Sequence, residues 1–191
     1  MRQLFTFALL VSLALGAGCA PQSPMTPEEI AAERARQLEI GTRFYPGKTP
    51  EEVLLAAARL FSLADDEYTV SHAANAIQAK RSWWFYVLAL NSGTDDWTVS
   101  VAEQEGGTKV ITSCVSETKQ LRTGPKIMTD EKLYALFYNR LDYLLGLSQV
   151  WRTCNEAKKG VWDGSLNPLC QVATDRTPDG RSSAQRREAA K

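Results

Sequence analysis

The hydrophobic period of this chain changes at Glu67, and that change restricts the fold more than any other feature. Before it, Val53, Ala57, Leu60, Phe61 and Ala64 fall on one stripe, the spacing of a helix packed on a core. After it, Tyr68 and Val70 alternate with polar neighbours, Ile77 and Ala79 continue the alternation, and Trp97, Val99 and Val101 alternate with Thr98, Ser100 and Ala102. Successive residues of a strand face opposite sides, so this is the pattern of strands with one buried face. Between them, Trp83–Leu90 is a dense aromatic and aliphatic run, readable as a strand covered on both faces, and Asn91-Ser92-Gly93-Thr94-Asp95-Asp96 reads as a turn. Gly106-Gly107 predicts a hairpin turn, with Thr108–Ser116 as the returning strand. Strands joined by such short connections must be antiparallel neighbours.

Helix punctuation frames this region. Thr26-Pro27-Glu28-Glu29 and Thr49-Pro50-Glu51-Glu52 repeat one tetrapeptide. In each, threonine caps, proline takes the first helical position where its missing N–H costs nothing, and glutamate closes a capping box. The first helix, about Pro27–Ile40, is rich in charge and has few large apolar residues, so it predicts a solvated spacer ended by Gly41. The second, Pro50–Ala64, should lie against the sheet. Thr129 predicts the cap of a long helix running to about Glu156, with Leu133, Phe137, Leu141, Leu144, Ser148 and Trp151 along one course and Gly146 as a tolerated weak point. The expected class is α+β: an antiparallel three- to four-stranded meander packed against two helices, with an N-terminal spacer helix.

Met1–Ala20 constrains location. Arg2 precedes an apolar stretch from Leu4 to Leu15, and Gly16, Ala17 and Gly18 stand directly before Cys19; this is the form of an export signal. The stretch is shorter than the ~20 residues a spanning helix needs. Cleavage after Ala20 without lipid is less attractive, because it would leave Pro21 at the new terminus. The segment resembles the signal of bacterial envelope lipoproteins, in which the cysteine thiol is joined to diacylglycerol and the preceding peptide removed. That resemblance implies lipidation at Cys19, and with Ala20 rather than aspartate following, an outer-membrane location on the periplasmic face. Several acyl chains anchor stably where one binds only marginally. The expected division is a signal peptide at 1–18, an anchored tether and spacer helix at 19–41, an α+β domain at 42–172 and a polar disordered tail at 173–191. The architecture is also similar to the helix-against-sheet modules of several envelope lipoproteins and assembly factors.

Removing the signal leaves 21 basic and 22 acidic residues, a balance that gives no basis for nucleic-acid binding. Export places the remaining cysteines, Cys114, Cys154 and Cys170, where disulfides persist. Their number is odd. The preferred pair is Cys154–Cys170, which closes the Gly160–Leu169 segment back onto a helix end, at a chain-entropy gain of ~3 kcal/mol. Cys114 then reads as a small buried hydrophobe in a strand, with a reactive thiol or an intermolecular bridge as the sharper alternative.

Trp83-Trp84-Phe85-Tyr86 is the most unusual local composition. The ordinary reading makes all four core or half-core; the functional one makes Trp84, Tyr86 and Trp97 an exposed patch for a partner or ligand. His72 is the only histidine and has no companion cysteine, Asp95-Asp96 suits a turn, and Gly106-Gly107 lacks the strand-to-helix setting of a phosphate loop. No catalytic constellation, metal site or cofactor is expected. The function expected is a non-enzymatic lipoprotein module that binds another envelope protein, the membrane being contacted through the anchor. The alternative is a periplasmic carrier of a small hydrophobic ligand in a cleft between the long helix and the aromatic strand.

Overall fold

The computed structural model describes residues 25–87, 89–119, 124–157, 164–170 and 177–179, and of residues 85–87 and 89–91 the backbone only. The expected signal peptide at 1–18, the acylated Cys19 and most of the tail at 173–191 lie outside the described residues.

Helix α1 (Pro27–Ile40), strand β1 (Thr42–Pro46) and helix α2 (Pro50–Ala64) come first. Both helices open on the capping boxes read from sequence. The Glu29 backbone N–H donates to Thr26 Oγ1 at 3.2 Å and the Thr26 N–H donates to Glu29 Oε2 at 2.7 Å; Thr49 and Glu52 repeat the arrangement at 3.2 and 2.8 Å. Strands β2 (Thr69–Ala73), β3 (Ala76–Val87), β4 (Ala89–Gln104), β5 (Gly107–Thr118) and β6 (Pro125–Ile127) follow. Helix α3 (Glu131–Leu144), the short helix α4 (Cys154–Ala157) and a 3-10 turn at Gly164–Leu166 complete the described chain. The class is α+β.

Among the described residues the sheet has six strands rather than the three or four expected, in the order β1-β5-β4-β3-β2 with β6 also on β5, and every pairing is antiparallel. β1 and β6 share one edge of β5: β1 covers Gly107–Ile111 and β6 covers Val115–Glu117. One face carries α2 and α3. There Trp97 is fully buried, stacked on Phe137 with ring centroids 5.4 Å apart and tilted against Phe61 at 5.6 Å. The other face is polar, with Gln78, Lys80 and Asp96 on it.

Three sequence expectations are corrected here. Residues 91–96 are not a turn but part of β4, in a hairpin whose pairs run symmetrically about residue 88, from Val87↔Ala89 through Arg81↔Asp95 and Lys80↔Asp96 to Ala76↔Ser100. The charges that made Asp95-Asp96 look like turn residues are matched across the hairpin by Arg81 and Lys80. The third helix is capped by Asp130 rather than Thr129, and it stops at Leu144 rather than near Glu156. Gly146, with φ of 72°, is its stop signal and not a weak point within it: the Gly146 N–H donates to Tyr143 O at 3.1 Å and the Leu147 N–H to Asp142 O at 2.8 Å, which satisfies the last carbonyls in a Schellman motif.

Finally, α1 is not a free spacer. Between β1 and β6 the β5 edge has a gap, and Gln37, 7 % exposed, fills it from α1 by donating Nε2 to Cys114 O at 2.7 Å and Met128 O at 3.2 Å. The expected boundary between residues 41 and 42 is crossed by the Thr112 N–H, which donates to Gly41 O at 2.7 Å.

Candidate functional site

The aligned charges of the β3–β4 hairpin separate onto the two sheet faces because neighbours on a strand point apart. Lys80 and Asp96 meet on the polar face at 3.3 Å. Arg81 and Asp95 point inward, each 1 % exposed. Arg81 Nη2 donates to Asp95 Oδ2 at 2.5 Å and to Asn167 O at 2.9 Å, and Nη1 donates to Asp65 Oδ2 at 2.7 Å. Asp65 is placed there by its role as the residue ending α2. Ser116 Oγ donates to Asp95 Oδ1 at 2.7 Å, and the guanidinium lies 5.2 Å from the Tyr68 ring centroid. Burial opposes the Arg81 cation, but Tyr68, Asp95 and the hydrogen bonds to both carboxylates outweigh it and raise its pKa. The cluster joins the end of α2, the hairpin and the 3-10 segment. A buried ion pair contributes little net stability against an apolar replacement, but it fixes which elements meet, because each charge is costly without its partners.

Asp95 and Ser116 also line an open cleft of about 1040 Å³ between β5, β6, the start of α3 and the 3-10 turn. Its walls carry Arg36, Lys126 and Lys132 against Asp130 and Glu131, with Trp83, Met128 and Pro168 as apolar patches. Both oxygens of Asp95 accept hydrogen bonds within the fold, so this carboxylate is a structural group. The cleft thus presents cations and acids side by side around small apolar areas.

The sequence-nominated residues divide. Cys154 and Cys170 are joined in a disulfide with Cα atoms 5.5 Å apart. Trp84 is on the polar face and 70 % exposed, above a shallow concavity that includes Lys80, Ser82 and Thr69. The Tyr86 side chain lies outside the described residues. Trp97 must be withdrawn from the patch: it is 0 % exposed, and its indole Nε1 donates to Tyr68 Oη at 3.1 Å. Its period placed it correctly on a buried face, and the patch assignment conflicted with that period. His72 is exposed on the edge strand β2, opposite Ile77. Cys114 is free of any disulfide and fully buried, and burial pushes its thiol pKa well up. Among the described residues, no group of three or more His, Cys, Asp or Glu side chains could hold a metal ion, and no helix is long and apolar enough to cross a membrane.

Sequence reading missed Gln37 and the Arg81–Asp65–Asp95 cluster. The signal for the second was present: Lys80-Arg81 and Asp95-Asp96 lie at equal distances from residue 88, the centre of a hairpin that reads as one once the supposed turn is removed. Gln37 had no such signal, since a lone glutamine in a charged helix looks solvated. No protein-family model, curated protein or solved structure matches this chain.

Proposed function

We propose that the chain is a bacterial envelope lipoprotein, exported through residues 1–18, acylated at Cys19 and held on the periplasmic face of the outer membrane, where its α+β domain docks another envelope protein without catalysing a reaction. In this reading α1 carries the tether while Gln37 holds it to the sheet. The observation that carries the docking role is the 1040 Å³ cleft, whose walls pair cations with acids around apolar patches, charges that a partner of complementary potential can meet. The Cys154–Cys170 disulfide supports export, because such bonds persist in oxidising compartments.

The carrier alternative is less well supported. A hydrophobic ligand between the long helix and the aromatic strand needs a mostly apolar pocket, and the cleft between Trp83 and the start of α3 is instead walled by Arg36, Lys126, Asp130, Glu131 and Lys132. Two measurements test the proposal. Cys19→Ser should remove the protein from the membrane fraction and abolish lipid labelling; unchanged fractionation and labelling would refute the anchor. A photo-crosslinking residue at Lys126, exposed on β6, should join one discrete envelope protein in cells, with the adduct lost in a Lys132→Glu variant. Absence of any protein adduct from the cleft would refute the docking role.

A further inference from the structure

The β3–β4 hairpin outruns the sheet. β2 pairs with β3 only through Lys80, and β5 pairs with β4 only from Gly93 onward. Beyond these limits the two strands continue as a ribbon to Val87↔Ala89, and among the described residues no third strand pairs with residues 84–87 or 89–91. No residue from 82 to 94 carries a charge. The composition is ordered along the ribbon: Trp83, Trp84, Phe85 and Tyr86 come first and Val87, Ala89 and Leu90 lie towards its end.

Helix α1 points the same way. Its end is fixed beside Thr112 through Gly41 O, and Gln37, one turn earlier, meets Cys114 O. The helix therefore runs antiparallel to β5, and the ten residues from Gln37 back to Pro27 extend it ~15 Å further at the usual rise. That brings its start near Thr118, the partner of Gly93. From Gly93 the ribbon reaches Ala89 in roughly another 14 Å. The seven residues from Thr26 back to Cys19 can span about 25 Å when extended. The acyl-bearing residue and the end of the apolar ribbon can thus reach one plane beyond the same end of the sheet.

We propose that this hairpin seats in the headgroup region of the bilayer that holds the Cys19 acyl chains, giving the domain a second contact that fixes its orientation on the membrane. The inference rests on the lipoprotein reading. Trp and Tyr rings suit that boundary, apolar at one end and hydrated at the other. Backbone groups along the outer edges of a two-stranded ribbon need water, which limits insertion to the wet interface and rules out the hydrocarbon centre. The cleft, on the opposite side of the ribbon from Trp84, stays open to a protein partner.

The test uses the full chain produced in a lipoprotein-processing host and placed in vesicles of phosphatidylethanolamine and phosphatidylglycerol, with dibrominated acyl chains as the tryptophan quencher. Mass analysis of the amino-terminal peptide reads Cys19 acylation separately. The expected result is a loss of tryptophan emission on bromolipid that disappears in Trp84→Phe, a change at an exposed site that leaves the fold intact. Acylated protein with unquenched emission, or equal quenching in Trp84→Phe, overturns the hairpin contact and leaves the anchor standing. Unacylated protein whose emission is not quenched removes both. Unacylated protein quenched through Trp84 removes the anchor and keeps the lipid contact. A benzoylphenylalanine at position 84 should give lipid adducts in cells, and a protein adduct in their place overturns the proposal.

Discussion

Arg81 is the residue on which most of the tertiary arrangement converges. It holds two buried carboxylates and the Asn167 carbonyl. Arg81→Met is expected to destabilise the fold by about 3–5 kcal/mol, since Asp65 and Asp95 are then left buried without a counter-charge. Replacing all three with apolar residues of similar volume should recover most of that loss. Urea midpoints at pH 7 check both, and a single variant as stable as wild type would show that the carboxylates find water instead. Half of this cluster was legible. Arg81 and Asp95 face each other by hairpin symmetry, which sequence records. Asp65 joins them only because α2 ends where it does, and no local pattern reports which strand lies under a helix end.

At the level of elements, the decisive case is α1. Its charge pattern describes a solvated helix correctly for most of its surface, yet one glutamine attaches it to the sheet. Gln37→Ala leaves the gap between β1 and β6 open and is expected to cost about 1–3 kcal/mol, the usual penalty when a buried hydrogen-bonding partner is removed. Amide exchange should accelerate in α1 while α2 remains protected; uniform acceleration would indicate general destabilisation instead. α3 shows the converse. Helical spacing continues through Ser148 and Trp151 in the sequence, but the left-handed backbone at Gly146 and the hydrogen bonds to Asp142 and Tyr143 end the helix first. Periodicity reports where apolar residues recur and is silent about the chain turning between them.

Across the whole molecule, the polar interior sets the response to pH. Tyr45, Tyr68, Tyr134 and Tyr138 all have pKa values raised, chiefly by burial, with Tyr138 pushed up to about 12 from 10.0. For an acid whose folded pKa is raised, the stabilisation is complete below the unfolded value and is lost as pH rises through the folded one. Stability should therefore hold to about pH 10 and fall between 10 and 12, with tyrosinate absorbance appearing together with loss of circular dichroism. Ionisation of all six tyrosines near pH 10 with the fold intact would contradict this. The Cys154–Cys170 bridge closes a separation of 16 residues, worth ~3 kcal/mol in the chain-entropy model. Reduction should lower the urea midpoint accordingly, and an unchanged midpoint would place the bridge's effect in local order alone.

The amino-acid sequence by itself determined the class of the fold, both capping boxes, the buried face of the strands and the pairing of Cys154 with Cys170, because each follows from contacts or periodicities within short stretches of chain. Tertiary structure decided that Asp95 is buried rather than in a turn, that Asp65 joins Arg81 from the end of α2, and that Gln37 binds a helix to an interrupted sheet edge. Those outcomes depend on which surfaces meet across tens of residues, and a side chain's burial is a property of its neighbours in space.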